Sequence, residues 1–419
     1  MKNAYKISFY NHTVKNEKNY LVFNLLNSTF AIMSEKEYLE YLNIDINNIR
    51  FREYIKKGIY VRSEVDEYEK MCTISDLMLQ KDKINTFRIF TTYGCNAHCP
   101  YCYGRNNIKM DMTIETAKKA VSFIKETVED NEALIITWFG GEPLVNTKVM
   151  DYICDQLKET IESKNITFSS HIMTNGLLLD EDMIKHGMEK WNLTRVKITM
   201  EGLKETYEKT KQFSIEDSYE KVLGNIKASL ENGLETRIRL NYSKKNIDEI
   251  LELIEFLGEK FNKYENMTVY GKSIMRKDIL DNYNGHIDED IAIIDKLNDV
   301  GLLKDELKYL VMRPIRCVAN RMNYFMIDPE GNIGKCAIAM SRGIYVGSLD
   351  EGIDMNSVLT WCSPILPDKC RDCSIMPVCN GGCIEEELEN RNRCGTNEII
   401  IKHRLEIFLK NYMREKNIK

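Results

Sequence analysis

One pattern recurs between residues 86 and 273: a run of six or seven β-favouring residues followed by an amphipathic helical stretch. The runs fall at 86–92, 133–139, 167–173, 195–200, 235–241 and 267–272. Of the intervening helices, 114–128 is the clearest, with Ala117, Ala120, Val121, Ile124 and Val128 at helical spacing on one face. Strands joined through helices pair in parallel, because a tight hairpin cannot return the chain in the same direction. Six such units predict an α/β fold: a partial (β/α)6, TIM-like barrel with its site at the C-terminal ends of the strands.

The 419 residues exceed this unit on both sides. Residues 1–82 carry short apolar runs at 20–23 and 30–33. Ser34 and Glu37 then form a capping-box signature ahead of Leu39 and Leu42, and a second helix and the strand Gly58-Ile59-Tyr60-Val61 follow. This reads as a small α+β domain. Residues 83–310 hold the barrel. Residues 311–419 are rich in cysteine and short of long periodic helices, until a closing helix with Ile401, Leu405, Phe408, Leu409 and Tyr412 on one face. In that last zone a metal core is expected to replace a hydrophobic one.

Charge and hydropathy narrow the setting. The 58 basic and 64 acidic residues give a net charge of -6 and are spread along the chain, which argues against a nucleic-acid surface. Apolar runs such as 133–139 are far shorter than the ~20 residues of a membrane span. The start, Met1-Lys2-Asn3-Ala4-Tyr5-Lys6, leads into a polar segment and not an export signal, so the expected location is the cytoplasm. In that reducing compartment, 13 cysteines point to metal or redox chemistry and not to disulfides.

The first cysteine group directly follows the first barrel strand: Cys95-Asn96-Ala97-His98-Cys99-Pro100-Tyr101-Cys102, spaced C-x3-C-x2-C. Three thiolates can hold three irons of a 4Fe-4S cluster and leave the fourth open to a small chelating molecule. The competing reading is a zinc loop with His98 as fourth ligand. With Tyr101 as the aromatic, the segment resembles the C-x3-C-x-aromatic-C motif of radical S-adenosylmethionine (SAM) enzymes, and the resemblance extends over roughly residues 86–275. It implies that Cys95, Cys99 and Cys102 hold a 4Fe-4S cluster to which SAM binds. Reductive cleavage of SAM would then give a 5'-deoxyadenosyl radical that abstracts a substrate hydrogen.

Further strand ends match the family pattern. Gly140-Gly141-Glu142-Pro143 is the loop that meets the SAM amino group in relatives. Thr174-Asn175 and Thr199-Met200-Glu201-Gly202 stand where relatives contact ribose and methionine, with Glu201 replacing the usual Asp. Arg239 and Asn241 share a face of the fifth strand by period two, and Arg239 is the candidate partner of the SAM carboxylate, a structural salt bridge being the alternative.

The second group reads Cys317, Gly331-x4-Cys336, Cys370-x2-Cys373-x5-Cys379-x3-Cys383 and Cys394. It resembles the SPASM extension of radical SAM enzymes, whereas C-x2-C pairs alone would also suit zinc. The resemblance implies two auxiliary 4Fe-4S clusters, three clusters in all: cluster I on Cys317, Cys336 and Cys383, cluster II on Cys370, Cys373, Cys379 and Cys394. Cluster I lacks a fourth cysteine upstream, so either Cys362 supplies it or one iron is open. Cys154, with Met150, Ile153, Leu157 and Ile161, reads as core packing; Cys72 has no motif around it.

SPASM relatives mostly modify peptides or proteins. The order of elements in residues 1–82 is compatible with a winged-helix element that binds a leader peptide as an added strand. The expected function is that of a peptide maturase of the thioether-forming, sactipeptide or ranthipeptide type. It would install a thioether or similar cross-link in a ribosomally made precursor, with a flavodoxin or ferredoxin as reductant. The alternatives are a sulfatase-maturase-like enzyme forming formylglycine, and a non-catalytic zinc or electron-transfer scaffold that binds peptides. Against formylglycine, Ala337 follows Cys336 where those relatives carry an Asp base.

Overall fold

The computed structural model describes residues 4–102, 104, 109–274, 286–304, 306–313, 315–363, 366–388, 394 and 396–416; Met1–Asn3, used above, lie outside them. Among the described residues the N-terminal region forms β1 (Tyr5–Ile7), β2 (Asn11–Lys15), β3 (Asn19–Asn24), β4 (Thr29–Ser34) and β5 (Tyr60–Arg62). Helices α1 (Glu35–Leu42) and α2 (Phe51–Lys56) lie between β4 and β5, and α3 (Glu67–Gln80) follows. Helix α1 starts where the capping box places it. The Ser34 side chain accepts from the Glu37 N–H, and the Ser34 N–H donates to the Glu37 carboxylate at 2.7 Å.

All six expected barrel strands form: β6 (Ile84–Thr92), β7 (Ala133–Gly140), β8 (Thr167–Thr174), β9 (Leu193–Met200), β10 (Glu235–Tyr242) and β11 (Met267–Ser273). They pair in parallel and in sequence order. The connections carry α4 (Ile114–Thr127), α5 (Thr147–Ser163), α6 (Glu181–Trp191), α7 (Lys204–Lys211), α8 (Ser218–Glu231) and α9 (Ile247–Phe261), with α10 (Ile287–Asp299) after β11. Alternation explains the layering. On β9, Val196, Ile198 and Met200 are buried and join one core with the helices, while Arg195, Lys197 and Thr199 are half-buried on the other face. The apolar face of α4 and Cys154 on α5 enter that core, as the periodicity requires.

The cysteine-rich zone departs from expectation. Strand β12 (Tyr324–Ile327) adds to the barrel sheet in parallel beside β6, and β13 (Asn332–Gly334), β14 (Gly347–Ser348) and β15 (Gly352–Ile353) extend it antiparallel. Phe325, Ile327, Ile333, Val346, Val358 and Trp361 continue the barrel core, so the expected metal-for-hydrophobic substitution is corrected here. The closing helix Glu398–Glu415 packs Ile401, Leu405 and Leu409 against Leu21, Phe23 and Leu25 of the N-terminal sheet region, and Phe30 meets Phe408 edge-on at 5.1 Å. Apolar burial thus ties the first and last segments together. Among the described residues no helix is long and apolar enough to cross a membrane.

Candidate active site

The loops leaving β6, β7, β8 and β9 meet at one end of the barrel, where the first cysteine group lies. The double glycine is a packing requirement. A Cβ on Gly140, at φ +137°, would stand 2.2 Å from the Thr92 carbonyl, and one on Gly141 would stand 2.1 Å from the Gly94 carbonyl. Backbone contact replaces those side chains. The Gly141 N–H donates to Thr92 O and the Glu142 N–H to Gly94 O, each at 2.9 Å, which clamps the loop that precedes Cys95.

Glu142 is fully buried and joins two loops. Its carboxylate accepts from Thr174 Oγ1 at 2.8 Å, the Asn175 N–H at 2.8 Å and the Leu144 N–H at 3.2 Å. Burial pushes its pKa up to about 7, against the opposing pull of those donors. Pro143 begins a short 3-10 turn behind it. Asn175 turns back to the cysteine loop, donating to Asn96 Oδ1 at 2.6 Å. The loops carrying Gly140 through Asn175 are thus brought against the cysteine loop.

Glu201 centres a second network. Its Oε1 accepts from the Tyr101 hydroxyl at 2.5 Å and from Asn241 Nδ2 at 2.9 Å, and pairs with the Lys211 ammonium at 3.1 Å. Both side chains of that ion pair are nearly inaccessible, 1% for Glu201 and 2% for Lys211. Lys211 also donates to Thr199 Oγ1 at 2.6 Å, and its carbonyl accepts the His98 N–H at 2.8 Å. Among the described residues Glu201 Oε2 is buried without a partner. The longer Glu in place of Asp therefore reaches Tyr101, Asn241 and Lys211 at once. Arg239 stands apart on the lumen face, paired in register with Thr199 and Tyr270; no salt bridge to it is found among the described residues.

Lys211 was not marked by the sequence analysis. Its helix reads Lys-Glu-Thr-Tyr-Glu-Lys-Thr-Lys, a surface pattern by composition. The available signal was Tyr207, four residues earlier on the same face and also fully buried.

The cysteines can be tested against an iron–sulfur cluster by what their sulfurs accept. Backbone N–H donors lie on Cys95 (from Ala97, 3.4 Å), Cys317 (from Val318 and Ala319), Cys336 (from Ile338 and Ala339) and Cys373 (from Ile375). Such donors stabilise a ligating thiolate and set cluster potential. Cys72 and Cys362 meet side-chain groups, as Cys99 meets Tyr101, and Cys154 lies in apolar core, so backbone donors mark only part of the expected ligand set. Burial raises the Cys95 thiol to about 11 and also raises Cys99, so these thiols stay protonated until a metal displaces the proton.

Electrostatic neighbours sort the remaining cysteines. Cys317, Cys336 and Cys383 act on one another, and Cys370 responds to Cys373, Cys379 and Cys394. Cys362 is outside both sets, with its thiol against the Lys335 ammonium. Among the described residues no three His, Cys, Asp or Glu side chains converge as on a single metal ion. A four-iron cube asks for wider spacing than one ion does, and the donor set of soft thiols suits it.

With this geometry in view, comparison with known proteins is informative. Residues 89–257 match the model of the radical SAM superfamily. An uncharacterized protein of Methanocaldococcus jannaschii is 33% identical over 112 residues; this covers 27% of the chain and only 37%, about a third, of that relative. The radical SAM cyclopropyl synthase TigE of Paramaledivibacter caminithermalis is 22% identical over 92% of this chain and 86% of that one. The solved structure of native anSMEcpe with bound AdoMet covers 80% of this chain and 100% of its own, at TM-score 0.57 and 17% identity, and shares the fold. The cysteine loop and its neighbouring strand ends lie within the matched span, so residues 89–257 carry a radical SAM domain.

Proposed function

We propose that this enzyme modifies a ribosomally made precursor peptide, using a SAM-derived 5'-deoxyadenosyl radical to remove a substrate hydrogen and close a thioether or similar cross-link. The observation that carries this reading is the set of three thiols, Cys317, Cys336 and Cys383, that act on one another while Cys362 is held by Lys335. Three cysteines for a four-iron group leave one ligand position for a substrate thiol. The resident groups would be three 4Fe-4S clusters, on Cys95, Cys99 and Cys102, on the auxiliary three, and on Cys370, Cys373, Cys379 and Cys394. The first, when bound, supplies the electron that cleaves SAM.

The chain's own residues do the positioning. Glu142 fixes the loops around the cofactor, and the unpartnered Glu201 Oε2 offers an acceptor to a hydroxyl. Tyr101, Asn241 and Lys211 hold Glu201 in place, and Thr199 accepts from Lys211. Arg239 offers its guanidinium to the SAM carboxylate. Strand β4 ends the sheet β2-β3-β4, which supports addition of a leader peptide along its edge. The domain limits 1–82, 83–310 and 311–419, a cytoplasmic setting and a flavodoxin or ferredoxin donor belong to the same proposal.

A second reading is carbon–carbon ring closure, favoured by the full-length likeness to TigE, which is named a cyclopropyl synthase. Formylglycine formation is less favoured, because Ala337 offers no base beside Cys336. Anaerobic co-expression with a short Cys-bearing peptide encoded beside the gene separates these readings. Loss of two hydrogens with a cysteine resistant to alkylation supports the thioether; the same loss with a reactive cysteine supports ring closure; exchange of sulfur for an aldehyde oxygen supports formylglycine. An unchanged peptide would reject the maturase reading.

A further inference from the structure

Three cations on the barrel's inner face meet no neutralising acid among the described residues. Arg88 on β6, Lys197 on β9 and Arg239 on β10 alternate with the buried pairs Phe87 and Ile89, Val196 and Ile198, and Ile238 and Leu240. Each is half-buried, so each side chain is open toward the lumen. Among the described residues none of the three meets a carboxylate. The adjacent Arg195 and Arg237, by contrast, share Glu235, each at 2.6 Å. The Nε atoms of Arg88 and Arg239 are buried without an acceptor.

Arg88 and Lys197 share the lumen face with β7 and β8 between their strands, the Lys197 ammonium lying 5.9 Å over the Tyr270 ring, and the Arg88 charge is felt at Lys197. The sign is electrostatic: the Lys197 ammonium is held down at about 8, first by burial, then by Arg88 and Arg239. Arg88 also lies over the rings of Phe139 (5.3 Å) and Tyr324 (5.9 Å), which fixes its position without neutralising its charge. Gathering like charges in a partly buried space costs free energy unless an anion enters. The SAM carboxylate, assigned above to Arg239, accounts for one charge and leaves two cations.

We propose that Arg88 and Lys197 bind a carboxylate of the substrate, so that the peptide presents an acidic group to the lumen. This rests on the reading of the substrate as a peptide. The carboxylate can come from an Asp or Glu side chain or from a peptide C-terminus, and both offer the same planar acceptor to a guanidinium. The competing role for Arg88 is to balance charge at Cys317, which it also influences.

Ligand-detected nuclear magnetic resonance on the SAM-loaded holoenzyme tests this with three small probes: N-acetylglutamate N-methylamide, its glutamine counterpart, and N-acetylglycine. The expected result is binding of one or both acids about tenfold or more tighter than the amide, because an ionised acceptor strengthens the contact. The tighter acid identifies the source, side chain or C-terminus. Lys197→Met should remove that preference and Lys197→Arg should restore it, with circular dichroism and iron content confirming that both variants fold. Binding of both acids no tighter than the glutamine probe would overturn the proposal. So would Arg88→Gln altering the auxiliary cluster's electron paramagnetic resonance signal while carboxylate affinity stays unchanged. None of the probes carries a cross-linkable cysteine, so this outcome is independent of whether a precursor is modified.

Discussion

Lys211→Met is the sharpest perturbation the structure offers. The Lys211 ammonium and Glu201 carboxylate are both inaccessible, and the pair lies 3.1 Å apart. Removing one partner of a buried pair strands the other charge, which typically costs about 3–5 kcal/mol. Here the Tyr101 hydroxyl and Asn241 amide would still donate to Glu201, so the lower end, about 3 kcal/mol, is expected. The double variant Lys211→Met, Glu201→Gln carries no charge and keeps an acceptor for Tyr101. It should therefore recover most of the loss, ending within about 1.5 kcal/mol of the parent. Hydrogen exchange followed by mass spectrometry on peptides spanning 193–211 reads this locally and does not require the whole chain to unfold as one unit. The single variant should exchange about a hundredfold faster there, since each tenfold corresponds to about 1.4 kcal/mol. A single variant within about 1 kcal/mol of the parent, or a double variant as impaired as the sum of both singles, would refute the argument that the pair is one buried unit.

Glu142 gives a pH signature in the metal-free protein. Its folded pKa of about 7 exceeds the ordinary 4.5, so the native state keeps a proton that the unfolded chain releases. Relative to Glu142→Gln, parental stability should fall as pH rises from about 4.5 to about 7, by up to about 3 kcal/mol; urea midpoints that move in parallel would contradict this. Cys362→Ala should keep its full iron content, whereas Cys336→Ala should lose the auxiliary cluster on Cys317 and Cys383; loss of iron in the first variant would make Cys362 a ligand after all. If the leader adds to β4, the amides of residues 29–34 should gain protection from exchange when precursor is present, and unchanged exchange there would remove strand addition.

Legibility followed the alternation of residues. Most of the six barrel strands were visible because one face is apolar toward the helices and the other polar toward the lumen, as in Arg195 to Met200, while β7, with Ile135 and Phe139 on its lumen face, read as a continuous apolar run. Strand β12 escaped for the opposite reason. All four of its residues are buried, so period two disappears, and its partner β6 lies more than two hundred positions away. A metal core was expected in the last zone because Phe325, Ile333, Val346 and Trp361 share no helical or strand period, yet tertiary packing joins them to the barrel. Within the site, motif spacing picked out the cysteines and the glycine loop. It did not reveal what each side chain holds: Glu142, read as an acceptor for an ammonium, first ties Thr174 and Asn175 to its own loop. Lys211 was hidden because a charged helix reads as solvated, and only a buried acid on another strand end makes an inward lysine favourable.

The most direct test of the central claim is SAM cleavage by the anaerobically reconstituted protein under dithionite, measured as 5'-deoxyadenosine. The parent should release it, while Cys95→Ala, Cys99→Ala and Cys102→Ala should each release none and still retain the iron held by the later cysteines. Formation of 5'-deoxyadenosine at the parental rate by any of the three variants would contradict the assignment of that loop as the SAM-cleaving centre.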